Sequence, residues 1–205
     1  NGLDVISVTL GEPDFDVPQN IKEAAFEAIN NNFSHYSPVP GFLDLRQAIC
    51  DKLKRDNNLD YLPSQICVSN GAKQSILNVL ASVLNDGNEV ILPAPYWVSY
   101  DEMVKMMGGT SVFVETSIET EFKITAKQLK KAITPKTKVL LYSSPCNPSG
   151  SVYTYEELEK IANVIARYPQ ITIISDEIYE FINYDGKHTS IAEFPQVYEQ
   201  TAVIN

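Results

Sequence analysis

The residues from Val139 to Tyr179 read VLLYSSPCNPSGSVYTYEELEKIANVIARYPQITIISDEIY. The stretch opens on an apolar run that predicts a buried strand. The segment 154–167 begins with a Thr-x-x-Glu capping box, which predicts that a helix starts there. The run at 171–175 is nearly all apolar or β-branched, as in a central parallel strand, and Asp176 follows it. A strand, a helix and a second strand in this order indicate an α/β fold.

Helical and strand-like segments alternate along the rest of the chain as well. Apolar residues at helical spacing predict helices after Pro18, after Gly41, after the Ser69–Gly71 turn up to Asp86–Gly87, from the proline-containing loop at 93–97 toward Gly108, and from Thr125 through Ile133. Short apolar runs predict strands at Ile66–Val68, Glu89–Leu92, Val112–Val114 and Thr201–Ile204. This alternation predicts a largely parallel central sheet.

Composition and charge argue against several classes of partner. Sixteen basic and 26 acidic side chains give a formal charge of -10, so the field of the protein repels the phosphate backbone of a nucleic acid. No apolar run approaches the roughly 18 residues of a membrane helix, and the first ten residues do not form a signal peptide. We therefore expect a cytoplasmic protein with neither a nucleic-acid nor a membrane partner. The three cysteines are scattered and neither histidine is close to them in sequence, which argues against a metal site.

Four unusual segments follow predicted strands. They are Ser69–Lys73, Pro95–Trp97, Ser144–Gly150 and Asp176–Tyr179. In an open parallel sheet, ligands bind at the carboxyl ends of the strands, where loops and helix N-termini converge. The four segments together therefore predict a ligand site at this edge of the sheet.

The first of these segments resembles a phosphate cradle. An Asn-Gly turn leads directly into a helix, whose first amides have no intrahelical acceptor and whose dipole favours an anion. Gly71 and Ala72 leave room for close approach. An ordinary strand-to-helix turn is the alternative, and neither the P-loop nor the dinucleotide-binding fingerprint is present.

The other three segments each carry a side chain with two interpretations. Trp97 can stack on a planar ligand or serve as a packing residue. Asn147, between two prolines, can present its amide rigidly or belong to a structural turn. Asp176 can pair with a cation from a partly desolvated position or cap the following turn. Tyr179 would lie on the same side of a helical turn as Asp176 and face the same ligand.

Taken together, these residues resemble the class I and II aminotransferases, which are fold type I pyridoxal-phosphate enzymes, and most closely the bacterial aspartate aminotransferases. The resemblance covers nearly the whole chain in the correct order. The matching segments are Gly11–Phe15, Tyr36 with Gly41 and Leu45–Arg46 as a Y-x(4)-G-x(3)-L-R pattern, Pro95–Trp97, Asn147–Gly150 and Asp176–Tyr179. The resemblance implies a three-layer α-β-α large domain that binds pyridoxal 5'-phosphate.

The resemblance also implies a role for each candidate residue. Asp176 would pair with the pyridine nitrogen, and Tyr179 and Asn147 would hydrogen-bond the phenolic oxygen of the ring. The cofactor phosphate would bind at Gly71, Ala72 and Lys73, and Trp97 would stack on the ring and contact the substrate. Gly11 and Asn147 would bind the substrate's α-carboxylate. Tyr36 would reach the phosphate of a neighbouring subunit, which implies a homodimer with shared active sites.

The chain departs from the family in what it lacks. The family's Schiff-base lysine lies a few residues beyond a strand like Ala202–Asn205, and the chain stops there. By the resemblance, residues 1–15 are an N-terminal segment with a loop at the substrate entrance that belongs with the small domain. Residues 16–205 are an incomplete cofactor-binding large domain, and the C-terminal small domain is absent. We therefore expect a fragment that is inactive by itself.

Lys73 offers the one indication of substrate. In bacterial aspartate aminotransferases, a lysine in a corresponding Gly-x-Lys-Gln stretch reaches the distal carboxylate of aspartate, and Gln74 follows Lys73 here. The resemblance thus implies amino transfer from aspartate to 2-oxoglutarate. A solvated lysine is the alternative for Lys73. For the protein, the alternatives are an aromatic transaminase, a carbon–sulfur lyase, and a cofactor-binding effector domain without catalysis.

Overall fold

The computed structural model describes residues 11–12, 15–184 and 186–205. The chain divides into two compact units, one that ends at Pro38 and one that runs from Val39 to Asn205. In the first unit, helix α1 (Gln19–Asn30) begins directly after Pro18, as predicted. None of the helices in the described part of the chain has the length and apolar character needed to cross a membrane.

The second unit is built on a sheet of five parallel strands in the order β2-β1-β3-β4-β5. Its elements in chain order are α2 (Leu43–Asn57), α3 (Ala72–Val83), β1 (Glu89–Ala94), α4 (Ser99–Met106), β2 (Thr110–Glu115), α5 (Ala126–Ala132), β3 (Thr137–Ser143), α6 (Tyr155–Ile165), β4 (Thr172–Asp176) and β5 (Thr201–Ile204). All strands run the same way, so their carboxyl ends meet at one edge of the sheet. The α/β prediction is confirmed.

Helices cover both faces of the sheet. Neighbouring residues of β4 point to opposite faces, and Ile173 and Ile174 accordingly enter two different hydrophobic cores. The core around Ile173 takes its helical side chains from α5 and α6, and the core around Ile174 takes them from α3 and α4. The three-layer α-β-α arrangement follows from these two cores.

Two helix starts have a capping box, and the one at Thr154 was predicted. The Thr154 hydroxyl accepts a hydrogen bond from the Glu157 amide at 3.3 Å, and the Glu157 carboxylate accepts one from the Thr154 amide at 2.9 Å. Thr125 and Gln128 make the same reciprocal pair at the start of α5. These bonds satisfy amides that have no acceptor within the helix.

The strand predicted at Ile66–Val68 is wrong for this structure. The segment is irregular, and the Val68 amide donates to the Pro40 carbonyl at 3.0 Å rather than to a strand. A strand requires a neighbour to complete its ladder, and among the described residues no strand pairs with this one. β1 also runs two residues past its predicted end, through Pro93 to Ala94.

Candidate functional site

The start of α3 has the form of an anion site. Gly71 stands at the N-cap position with φ of +88°, which favours glycine, and it has no side chain with which to cap the helix. A Cβ at Gly71 would meet nothing within 4 Å, so the backbone conformation, rather than the room that we expected, requires glycine here. The first amides of α3, at Ala72 and Lys73, have no acceptor within the helix and are available to an anionic group.

Contacts between side chains connect three of the predicted site residues. The Lys73 ammonium lies 4.9 Å from the centre of the Trp97 ring. The Trp97 ring meets the Tyr100 ring edge-on, with centres 5.5 Å apart and planes at 89°. The Tyr100 hydroxyl then donates to Asp176 Oδ2 at 2.5 Å. These contacts bring together Lys73, Trp97 and Asp176, which come from three different predicted segments.

Tyr100 is the site residue that the sequence reasoning missed. It is 1% exposed and lies in the first turn of α4, three residues after Trp97. Burial raises the pKa of its phenol well above the ordinary value, and the negative charge of Asp176 raises it further. Tyr100 therefore stays protonated and acts as a donor. The available signal was the position of Tyr100 in the first turn of a helix that starts directly after the segment of Trp97.

Asp176 is a buried carboxylate with two donors and no cation among the contacts that the structure describes. It is 4% exposed at the end of β4, and its Oδ1 accepts a hydrogen bond from the Ile178 amide at 3.3 Å. Burial raises the pKa of the Asp176 carboxyl, while the bonds from Tyr100 and Ile178 lower it in part, and the balance is a raised pKa. A cationic N–H placed at this carboxylate would remove the cost of burying its charge.

The capping alternative for Asp176 holds in part. The bond to the Ile178 amide is of the kind that a capping residue makes, but a single turn follows instead of a helix. The Glu180 amide closes this turn on the Glu177 carbonyl at 2.9 Å. Tyr179 lies on this turn, and not in the helical turn that we expected. Its side chain is 36% exposed.

The loop after β3 is fastened to the same edge of the sheet. The Ser144 amide donates to the Asp176 carbonyl at 3.1 Å, and Cys146 Sγ lies 3.8 Å from the Pro95 carbonyl oxygen. The Gly150 amide closes the loop on the Cys146 carbonyl at 2.7 Å. Asn147 lies half-buried within this closed loop. The loop thus joins the Pro95–Trp97 segment to the end of β4.

Two predicted site residues belong to the first unit. Gly11 and Tyr36 are both exposed, and their roles stay predictions. Residues 13 and 14 of the Gly11–Phe15 segment lie outside the described residues, as do residues 1–10. The structure describes the site through the residues of the second unit.

Comparison with known proteins gives consistent matches over the whole chain. A sequence profile described as aminotransferase class I and II matches residues 4–204. A probable aspartate/prephenate aminotransferase of Rickettsia felis is 48% identical over 206 positions, which cover 100% of this chain and 50% of that protein. The chain spans about half the length of the curated relatives that it matches.

Solved structures share the fold at high identity. An aspartate aminotransferase from Thermus thermophilus with maleate is 41% identical with a TM-score of 0.93, over 98% of this chain and 52% of that chain. An aromatic aminotransferase from Pyrococcus horikoshii OT3 is 45% identical with a TM-score of 0.93, over 98% of this chain and 54% of that chain.

Proposed function

The chain belongs to the class I and II aminotransferases, and on that premise we propose that it forms the cofactor-binding half of an enzyme that transfers the amino group of aspartate to 2-oxoglutarate. This family generally uses pyridoxal phosphate. The observation that carries the proposal is the buried Asp176 carboxylate, which has Tyr100 as a donor and a raised pKa.

The residues present fit pyridoxal phosphate. A buried carboxylate that lacks a cation suits a protonated ring nitrogen, and the uncapped start of α3 suits a phosphate. The flat face of Trp97 suits an aromatic ring. When bound, the cofactor supplies an electron sink for the pair of electrons released at the substrate's α-carbon.

Each side chain then has a definite task. Asp176 keeps the proton on the ring nitrogen, and Tyr100 keeps the Asp176 carboxylate oriented. The amides of Ala72 and Lys73, which follow Gly71, bind the phosphate. Trp97 covers one face of the ring and excludes water from it.

The remaining assignments concern the substrate and the assembly. Asn147 and Tyr179 donate to the phenolic oxygen of the cofactor, and Asn147 and Gly11 bind the substrate's α-carboxylate. Tyr36 binds the phosphate of a neighbouring subunit, so the active enzyme is a homodimer. We place the lysine that binds the cofactor in the part of the polypeptide that the longer relatives have in addition to this stretch.

Lys73 is the residue that favours a dicarboxylic substrate. Its ammonium lies over the Trp97 ring, the surface on which we place the cofactor and substrate. An ammonium at that position can make a charge-assisted hydrogen bond to a distal carboxylate. The Thermus thermophilus relative holds maleate, which is a dicarboxylate.

An aromatic substrate is the second candidate. The Pyrococcus horikoshii structure, at 45% identity, is that of an aromatic aminotransferase. The Rickettsia felis relative is named a probable aspartate/prephenate aminotransferase. A single fold therefore serves substrates with different side chains.

The test is a substrate comparison on the natural polypeptide that contains this chain. Purified protein with pyridoxal phosphate is assayed with 2-oxoglutarate and aspartate, alanine or phenylalanine in parallel. We expect the highest kcat/KM with aspartate. A preference for phenylalanine would make the protein an aromatic transaminase, and bound cofactor without turnover of any amino acid would make it an effector-binding domain.

A further inference from the structure

A second buried carboxylate lies directly beside Asp176. Glu177 is 1% exposed, and its Oε1 accepts hydrogen bonds from Ser175 Oγ at 2.8 Å and Ser190 Oγ at 2.7 Å. Its Oε2 lies 2.8 Å from Nε2 of the buried His188. We call these four residues the Glu177 cluster. The proposed chemistry gives none of them a task.

The Glu177 cluster and Asp176 lie on opposite faces of the sheet. Side chains alternate along a strand, so Ser175 and Glu177 share the face of Ile173, and Asp176 shares the face of Ile174. On the cluster's face, Ser175 Oγ also lies 3.0 Å from the hydroxyl of the buried Tyr142. Ser175 and Glu177, which flank Asp176, are therefore fixed by hydrogen bonds on the face of the sheet opposite to the Asp176 side chain.

The backbone of Glu177 is held as well. Its amide donates to the Ile204 carbonyl at 2.8 Å, which extends the pairing of β4 with β5 beyond Asp176. The loop that carries His188 and Ser190 is tied to this point through the Glu177 carboxylate. A movement of the Asp176 backbone would require these bonds to break.

Stability gives a weak reason for burying such a cluster. Removing a carboxylate from water costs several kcal/mol, and buried ion pairs are often no more stabilising than apolar side chains of the same volume. Moreover, within the part of the chain that the structure describes, nothing hydrogen-bonds His188 Nδ1, which is buried. A buried polar atom without a partner costs about 1 to 3 kcal/mol. The location of the cluster, directly behind Asp176, gives a stronger reason.

We propose that Glu177 is a positioning residue for Asp176. Through Ser175, Ser190 and His188 it fixes the end of β4, so that one Asp176 carboxylate meets both the Tyr100 hydroxyl and the ring nitrogen of the cofactor. This inference rests on the proposed function. Misplacing a reacting group by about 1 Å costs up to about 100-fold in rate, so the loss of the cluster should appear in kcat.

The test compares Glu177→Leu with Glu177→Gln in the natural polypeptide loaded with pyridoxal phosphate. Leucine fills the space without any polar atom, whereas glutamine keeps an oxygen that accepts from Ser175 and Ser190. For Glu177→Leu we expect kcat to fall about 10-fold to 100-fold, as in other outer-shell substitutions, with little change in KM for the amino acid. Glu177→Gln should stay within about threefold of wild type, because hydrogen-bond geometry rather than charge carries the effect.

A second readout does not depend on turnover. The visible circular dichroism of the bound cofactor reports how the ring is held, and we expect it to weaken in Glu177→Leu and to return in Glu177→Gln. Ser190→Ala, which removes one donor from the same carboxylate, should show a smaller change of the same sign. If Glu177→Leu does not fold, the cofactor dichroism of Ser190→Ala tests the positioning role instead.

Lys123→Met supplies the matched control. Lys123 is a buried cation paired with Glu121 and with Glu157 in α6, and its hydrogen bonds and ion pairs within the described residues include no residue of the Glu177 cluster. Its loss should lower the unfolding midpoint while kcat and the cofactor dichroism are retained. If Glu177→Leu and Ser190→Ala behave like this control, Glu177 is structural only and the inference is overturned. If Glu177→Gln loses as much as Glu177→Leu, charge rather than position is at work, and the inference is likewise overturned.

Measurements on the wild-type protein distinguish a failure of the positioning role of Glu177 from a failure of the proposed function. A wild-type polypeptide that binds no pyridoxal phosphate would overturn the proposed function and, with it, the role of Glu177. A wild-type protein that binds the cofactor and transaminates, with variants that resemble the Lys123→Met control, would leave the proposed function standing and remove the positioning role alone.

Discussion

The Tyr100 hydroxyl lies 2.5 Å from Asp176 Oδ2, and both side chains are buried. The phenol donates this hydrogen bond and keeps its own proton, because burial raises the pKa of Tyr100 far above neutrality. One oxygen of Asp176 is therefore committed to Tyr100, and the ring nitrogen of the proposed cofactor would share the carboxylate with it. Through the Trp97–Tyr100 ring contact, this hydrogen bond also connects the segment at Trp97 with the end of β4.

Tyr100→Phe removes this donor and leaves the ring in place. A hydrogen bond to a charged group contributes about 1.5 to 3 kcal/mol, so we expect kcat/KM to fall about 10-fold to 100-fold. Steady-state kinetics on the natural polypeptide measure the loss. Tyr153→Phe is the control, since that buried hydroxyl accepts a bond from the Ile124 amide and not from the site. Equal losses in both variants would mean that Tyr100 acts through packing.

Asp176→Asn tests the raised pKa in the cofactor-free protein. A folded-state pKa above the unfolded value means that the protonated carboxyl is the form favoured by folding. The stability that this group contributes is complete below the unfolded pKa, about 3.9, and is lost as the pH rises through the folded pKa. Asparagine is uncharged throughout and keeps an oxygen that accepts from Tyr100.

We therefore expect Asp176→Asn to raise the free energy of unfolding of the apoprotein near neutral pH. The difference from wild type should shrink toward zero below about pH 4. Urea unfolding of both proteins across this range measures it. A variant that is less stable than wild type near neutral pH would contradict the raised pKa of Asp176.

Lys73→Met separates a dicarboxylic substrate from the alternatives. If the ammonium meets the distal carboxylate, kcat/KM for aspartate should fall about 10-fold to 100-fold, from the loss of about 1.5 to 3 kcal/mol. Phenylalanine and alanine have no distal carboxylate, so their kcat/KM should change little. All three substrates are measured on one preparation, which removes differences in active fraction. Equal losses would assign Lys73 to the phosphate site or the fold, and the aspartate proposal would be withdrawn.

Gly41→Ala and Gly87→Ala form a matched pair for the fold. Both glycines have positive φ, +96° and +77°, so alanine strains the backbone by about 1 to 2 kcal/mol at either position. Only at Gly41 does the new Cβ collide, at 2.7 Å from Val68 Cγ2. Overpacking adds about 1 to 3 kcal/mol, so Gly41→Ala should be the more destabilising in chemical denaturation. Equal effects would mean that Val68 moves aside at no cost.

Local patterns in the sequence predicted most of the fold. The helix starting after Thr154 and the strand ending at Asp176 follow from a capping box and a buried apolar run, which are local features. The segment Ile66–Val68 has the same apolar character and fails, because a strand depends on a neighbour that no local pattern encodes. The turn at Tyr179 was not predicted for a related reason: the Ile178 amide donates an Asx-type bond to Asp176 Oδ1, and a turn follows in place of a helix.

The candidate site could be predicted in outline. Loops at the ends of parallel strands must meet, and Trp97 after β1 and Asp176 at the end of β4 do so. Lys73 joins them from the start of α3, although the strand predicted before it did not form. Tyr100 and the Glu177 cluster were not predicted, because burial converts ordinary polar residues into specific partners only once the chain is folded. His188 contacts Glu177 although the two residues are 11 positions apart in sequence. No local sequence pattern predicts a contact over that separation.

We propose that this chain holds pyridoxal phosphate non-covalently and that the lysine that bonds to it lies elsewhere in the polypeptide. Borohydride reduction of the natural polypeptide with bound cofactor, followed by peptide mapping, tests it most directly. The account predicts a pyridoxyl group on a lysine outside the stretch Asn1–Asn205, within about ten residues after it by the family resemblance. A pyridoxyl group on Lys73, or on no lysine at all, would contradict it.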